Sequence, residues 1–292
     1  MNRTGSGSTP HAVSGGAPQP ADVEARVREF RAIAELHQAR QYLAFYGPVT
    51  SLFLDEAAQA ALPVPGGGLA LDVGCGDGAL ATRLRRLGWR CVAVDLSLAM
   101  CRIADQSSGG GQTVTASASA LPFADGVMDA VAGGFLLPHL GDLTTGLVEL
   151  RRVLRAGGQL VLTNWAAPAL SPFTGLLSEM LRELEPVGAG AVLGGLERRT
   201  APDHLRRALG AAGFDDVCIR HRSHRIQVPS PLAWWEGSLK GSYGMRRLLQ
   251  QQAPDVREAA KSEFLARAEA FGPQGGPLDV PVSALVISAR RA

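Results

Sequence analysis

Three glycines at alternating positions, Gly74, Gly76 and Gly78, follow a short apolar run, Leu69 to Val73, that is interrupted once by Asp72. The run reads as a buried parallel strand. Ala79 to Leu87 then continues with helical spacing, Leu80, Leu84 and Leu87 falling on one face. A strand, a glycine loop and a helix together bring backbone N–H groups and the positive end of a helix dipole close to a ligand. The chemistry they suit is the holding of a nucleotide-type cofactor. A second buried strand, Arg90 to Leu96, carries Asp95 near its tip. A carboxylate there can accept both hydroxyl protons of a ribose. The G-x-G-x-G spacing differs from the G-x-G-x-x-G of dinucleotide sites, which places an NAD(P)-dependent oxidoreductase behind other readings.

With these residues and the segments that follow them, the chain resembles the class I S-adenosylmethionine (SAM)-dependent methyltransferases. Within them it is most similar to the small-molecule group, type 11 or ubiquinone-biosynthesis-like. The supporting segments are Asp95-Leu-Ser-Leu-Ala-Met100, Leu121-Pro122-Phe123, and Leu150 to Gly158, in which Ala156 stands where the family usually has proline. The resemblance implies SAM as cofactor, S-adenosylhomocysteine as product and a small-molecule acceptor. It implies cofactor contacts from Asp72, Gly74, Cys75, Gly76, Gly78 and Asp95, and from Leu96 and Met100 at the adenine. Ser117 and Ala118 are implied at the adenine edge. The family usually has aspartate at the position of Ser117, and a hydroxyl is the weaker acceptor. Gly133 and Gly134 end a fourth strand, at the carboxyl edge where ligands collect in open α/β sheets. They open Gly-Gly-Phe-Leu where base methyltransferases have Asn-Pro-Pro-Tyr, which argues against that class. His139 stands near a position where the family frequently has histidine. It is the motif-embedded candidate for a general base, the alternative being a structural histidine bonded to a backbone carbonyl.

The elements that must position these residues can be read in chain order. Met1 to Pro20 is rich in Gly, Ser, Thr and Pro, has no apolar signal-peptide core, and is expected to be a disordered tail. Asp22 to Ala44 has helical periodicity, Gly47-Pro48 reads as a break, Val49 to Leu62 as a second helix, and Pro63 to Gly68 as a linker. Residues 21–65 are thus expected to form a helical lid on a single domain, 66–292, with helical cap insertions at about 166–200 and 229–275. Ser97 is expected to cap the next helix, and Thr113 to Ala116 and Val127 to Gly134 to be strands. Asp142 to Leu154 reads as a helix with a Leu143, Leu147, Leu150 and Leu154 stripe and Gly157 as its stop. Gln159 to Thr163 reads as the fifth strand, with Asn164-Trp165 at its tip. Helices over Thr174–Leu184 and Ala201–Ala212, a long strand Asp216–Val228, a helical stretch Pro231–Phe271 and a strand Val280–Ala289 complete the chain. The expected fold class is α/β: a Rossmann-like seven-stranded, mostly parallel sheet with helices on both faces and a helical cap. The reversal of its last strand is implied by the resemblance.

The composition sets limits on function. Twenty-nine Lys and Arg against 27 Asp and Glu leave a net charge of +2, which gives no bias toward nucleic acid or membrane. The pairs Arg85-Arg86, Arg151-Arg152 and Arg206-Arg207 read as solvated helix faces. Cys75, Cys91, Cys101 and Cys218 have neither disulfide nor zinc spacing, so no metal is expected and a reducing cytoplasm is the simplest compartment. Cys75 and Cys91 read as small buried hydrophobes. The alanine, glycine and arginine bias resembles a high-GC bacterial genome, an association with specialised metabolism.

The motifs account for the cofactor alone, so an acceptor must be roofed by added segments above the carboxyl edge of the sheet. The expectation is an apolar pocket of Tyr42, Tyr46, Trp165 and Trp234 or Trp235, since aromatics bury large areas with few rotatable bonds. Either tryptophan can instead anchor the cap to the core. A protein of this fold that no longer methylates, a cyclase or a binding module, is the alternative function.

Overall fold

The computed structural model describes residues 36–61, 67–108, 113–184, 193–194, 199–274 and 276–292. The tail expected over residues 1–20, the helix expected before Leu36 and most of the Pro/Gly linker lie outside the described residues. Strands β1 (Leu69–Val73), β2 (Arg90–Asp95), β3 (Thr113–Thr115), β4 (Met128–Gly133), β5 (Leu154–Trp165), β6 (Phe214–Val228) and β7 (Leu278–Arg291) form one seven-stranded sheet, in the order β3-β2-β1-β4-β5-β7-β6. β3 to β5 pair in parallel, and β7 lies between β5 and β6, antiparallel to both. The expected mostly parallel sheet with a reversed last strand is observed. The strand order reverses between β1 and β4, which opens a crevice at their carboxyl ends. Helices α2 (Ala79–Arg86), α3 (Leu98–Ser108), α4 (Leu143–Val153) and α6 (Pro202–Ala211) flank the sheet. Its two faces are covered by separate apolar clusters, one around Leu84, Ala93 and Val161, the other around Leu147, Leu150, Leu160 and Ile287.

Several expectations are corrected. The helix α1 (Leu36–Ala60) runs unbroken through Gly47-Pro48. Pro48 lacks an N–H, which removes one helical hydrogen bond. The Thr50 hydroxyl donates to Gly47 O at 3.1 Å. Burial of Val49, Phe53, Leu54 and Ala57 holds the helix on the sheet across the proline. Leu87, expected on the buried face of α2, is exposed beyond its end. α4 stops at Val153, and Gly157, although left-handed at φ 70°, lies in β5 rather than ending a helix. β5 is correspondingly long, so Asn164 and Trp165 pair within it, opposite Leu285 and Ala284. Arg85, Arg151 and Arg152 are staples rather than parts of a solvated face, whereas Arg86, Arg206 and Arg207 are exposed as expected. Arg151 Nε donates to Gly213 O, and Arg152 spans Leu121 O, Phe123 O and Glu149. Arg85 Nη2 donates to Cys91 O. Arg206 pairs with Asp203 at the surface.

The added segments form a helical layer of α5 (Pro172–Leu184), α7 (Pro231–Gly241), α8 (Tyr243–Gln250) and α9 (Pro254–Ala268). α7 starts at Pro231 because Ser230 Oγ accepts from Ala233 N and proline suits the first helical position. Its glycines let α1 come close. A Cβ at Gly237 would stand 2.0 Å from the Phe45 ring, and one at Gly241 2.2 Å from the Tyr46 ring. No helix among the described residues is long and apolar enough to cross a membrane.

Candidate active site

At the carboxyl ends of β1, β2 and β4 lies a cleft of about 400 Å³. Its floor is the loop after β1. Gly74 N and Cys75 N donate to Val94 O at 2.8 and 3.0 Å, which curls the chain over the end of β2. Gly74, Gly76 and Gly78 all have left-handed φ, a conformation that side chains resist. The three glycines do different work. A Cβ at Gly76 would meet nothing within 4 Å, because that side of the residue opens into the cleft. A Cβ at Gly78 would press on Ala104 at 3.1 Å, so Gly78 seats the start of α2 on α3 and does not line the cleft. Gly133 likewise packs, against Leu162 and Leu136, whereas Gly134 lines the cleft.

Two carboxylates flank the loop. Asp95 Oδ2 accepts from Gly76 N at 3.0 Å and Oδ1 from Ser97 N at 2.8 Å, which turns the carboxyl group toward the cleft and leaves acceptor capacity on both oxygens. Burial raises its pKa against the pull of those N–H groups. Asp72 is fully buried; Oδ2 accepts from Ala81 N at 2.9 Å, and Oδ1 has no partner among the described residues. Burial pushes it up to about 7. Ser97 Oγ accepts from Met100 N at 3.2 Å, capping α3 as expected, and brings Leu96 and Met100 to the cleft wall. Ser117, Ala118 and Cys75 line it too; Ser117 Oγ also accepts from Ser119 N in a tight turn. Cys75 and Cys91 are buried as expected.

The opposite wall comes from α1 and from the segment after β4. Tyr42, Leu43, Thr50 and Leu54 face Phe135, Leu136, His139 and Leu140. Phe135 has φ 54°, costly for a residue with a side chain; its N–H is held by the Thr163 hydroxyl at 3.0 Å and carbonyl at 3.1 Å. His139 ends a short 3-10 turn, Leu137–His139, with its ring 6.3 Å from that of Tyr42. Tyr46 and Trp165 do not line the cleft. They stand behind Tyr42 and Phe135, with Tyr46 5.1 Å from Tyr42 and Trp165 4.2 Å from Phe135. Burial pushes the Tyr46 hydroxyl up to about 12. The roof expected from α7 is not there. Trp234 is fully buried, donates to Phe173 O at 3.1 Å and packs on Phe264 and Phe271, while Trp235 faces a groove on the outer side of the helical layer. Both are core residues of the added layer because α1 occupies the space between α7 and the cleft. Lining residues not singled out from the sequence include Leu43, Thr50, Leu54, Phe135, Asp142 and Thr145. Of these, Phe135 had a signal: it follows Gly133-Gly134 at a strand end.

The charged side chains lining the cleft are Asp72, Asp77, Asp95 and Asp142, with no lysine or arginine among the described lining residues. No group of three or more metal-ligating side chains comes together among the described residues. The site thus offers carboxylate acceptors, free backbone groups and an apolar wall. A family model for a methyltransferase domain matches residues 71–162, which end within β5 and include the whole glycine loop. A demethylmenaquinone methyltransferase of Mycolicibacterium gilvum is 34% identical over 179 residues, 58% of this chain and 78% of the relative. One from Thermobifida fusca is 36% identical over 127 residues, 42% of this chain and 54% of the relative. Among solved structures, the YcgJ protein of Bacillus subtilis superposes with TM-score 0.54 at 17% identity, over 82% of this chain and 97% of its own. Phosphoethanolamine N-methyltransferase 2 of Haemonchus contortus does so with TM-score 0.55 at 15% identity, over 91% and 59%. At those identities the two structures speak for the fold.

Proposed function

The chain belongs to the class I SAM-dependent methyltransferases and methylates a small molecule, and from that premise we propose that the acceptor is an uncharged, apolar ring compound. The observation that supports this reading is the apolar wall of the acceptor half, Tyr42, Leu54 and Phe135, with no lysine or arginine among the described lining residues. A phosphorylated or carboxylated acceptor would give up its hydration there with no cation to receive it. SAM, when bound, supplies an activated methyl group, and it is positively charged at the sulfur. Gly76 gives it open backbone and Asp95 an acceptor for ribose hydroxyls, while the buried Asp72 holds the start of α2 behind the loop. Leu96, Met100, Ser117 and Ala118 surround the base, with Gly74, Cys75 and Gly134 closing the floor. The acceptor occupies the other half, between Tyr42, Thr50 and Leu54 on α1 and Phe135 and His139. Holding two reactants in line can supply roughly 7–11 kcal/mol of the barrier, so few side chains need act chemically. His139 is the base that removes the acceptor's proton, a role needed for oxygen or carbon nucleophiles. α1 serves as the lid. The curated relatives are named for demethylmenaquinone; an uncharged ring would serve that chemistry or the specialised metabolism suggested by composition. Labelled-methyl transfer from SAM to matched neutral and phosphorylated ring compounds tests the reading. Transfer to neutral members is expected, and transfer confined to the phosphorylated ones would overturn it.

A further inference from the structure

Arg199 is outside the cleft lining, yet its guanidinium grips the backbone that carries His139. Nη1 donates to Leu137 O at 2.9 Å and to Leu140 O at 2.6 Å, and Nη2 donates to Gly141 O at 3.0 Å. These carbonyls belong to the 3-10 turn and to the two residues that follow it. A single such turn satisfies few of its own carbonyls, and here Leu140 N reaches Leu137 O only at 3.4 Å. The guanidinium is a rigid plane of five donors. By spanning three carbonyls it sets the direction of the turn as well as its place. Arg199 is anchored in its own right: its carbonyl accepts from Asn164 Nδ2 at 2.6 Å, and Asn164 is fully buried near the end of β5. The connection runs from the sheet through Arg199 to the turn and ends at the imidazole in the cleft.

We infer that Arg199 is a positioning residue that orients His139 toward the acceptor. The inference rests on the reading of His139 as the base, and its test does not depend on an acceptor. The full chain is labelled with carbon-13 at histidine Cε1, and the His139 signal is identified by its loss in His139→Gln. With S-adenosylhomocysteine present, Arg199→Met is expected to shift or broaden that signal, leave the other histidine signals in place and leave S-adenosylhomocysteine affinity unchanged. Arg199→Lys, which keeps the charge but cannot span three carbonyls, is expected to restore the signal in part. An unaltered His139 signal in either folded variant overturns the inference. So does a change spread over all the histidines, which marks a general loss of structure. If Arg199→Met does not fold, Arg199→Lys decides alone. Unchanged methyl transfer by His139→Gln would remove the base assignment instead, and the carbon-13 result would still stand or fall by itself.

Discussion

The Asp95 carboxylate gives one lone pair of each oxygen to the backbone, at Gly76 and Ser97, and keeps the others toward the cleft. A ligand therefore meets an acid that is already oriented, with little side-chain entropy left to lose. Asp95→Ala is expected to weaken S-adenosylhomocysteine binding by about 1.5–3 kcal/mol, the range for a hydrogen bond to a charged group. Calorimetry checks this, and unchanged affinity would remove Asp95 from the site. Asp72 makes a prediction about pH. Burial moves it from an ordinary 3.8 to about 7 in the folded chain. Between those values the folded state keeps a proton that the unfolded state has lost, so stability falls as pH rises through that window and is level above it. Asp72→Asn keeps an acceptor for Ala81 N and cannot ionise. Its stability relative to the parent should rise from pH 4 to pH 7, as urea midpoints across that range would record. A parallel pair of curves would mean that Asp72 ionises alike in both states. Both acids were legible in the sequence because each ends or interrupts a buried strand. The roles of Gly78 and Gly133 were not, since a glycine's pattern does not tell whether its missing Cβ leaves room for a ligand or for Ala104 and Leu162.

At the scale of elements, α1 is tied to the motif region by Arg83, which bonds Asp55 Oδ1 and Ser51 Oγ at 2.8 Å each, and by Trp89 Nε1 donating to Ala61 O at 3.1 Å. On its other side it nests on α7, where Gly237 and Gly241 make way for Phe45 and Tyr46. Gly237→Ala is expected to force these helices apart and cost about 1–3 kcal/mol, as overpacking does. Tyr42, carried on the same helix, should move with it, so the variant should lose acceptor turnover along with melting temperature. Full turnover in a destabilised variant would show that the position of α1 does not set the cleft wall. This contact explains what the sequence left hidden. Strand and helix periods located nearly every element, because burial on one side imposes them. Gly47-Pro48 signals a break by local backbone preference alone, and the packing of Val49, Phe53, Leu54 and Ala57 overrides it. The aromatic pattern points Trp234 and Trp235 over the acceptor because it carries residue type and spacing but no partner. Their actual partners, Phe173 and Phe264, are more than 25 residues away.

For the whole molecule, cofactor binding and folding are linked, because the cleft draws its lining from α1, from the ends of β1, β2 and β4, and from the start of α4. The unfolded chain has no such site. S-adenosylhomocysteine at a hundred times its dissociation constant should therefore add about 2.7 kcal/mol to stability. For a domain of this size that corresponds to a rise in melting temperature of roughly 5–10 °C. Gly76→Val separates the cofactor contribution from general stabilisation. Its backbone must stay at φ 54° to keep the N–H on Asp95, and a branched side chain resists that conformation while filling the open side of the loop. The variant should fold at a somewhat lower melting temperature and show no rise on adding the ligand. The Trp234→Ala variant should behave in the opposite way. It empties a fully buried site in the added helical layer, which costs about 3–5 kcal/mol, yet it should keep most of the ligand-induced rise because the indole touches no part of the cleft. Differential scanning fluorimetry on the two variants side by side distinguishes them. A ligand-induced rise that survives in Gly76→Val and vanishes in Trp234→Ala would relocate the cofactor from the glycine loop to the helical layer.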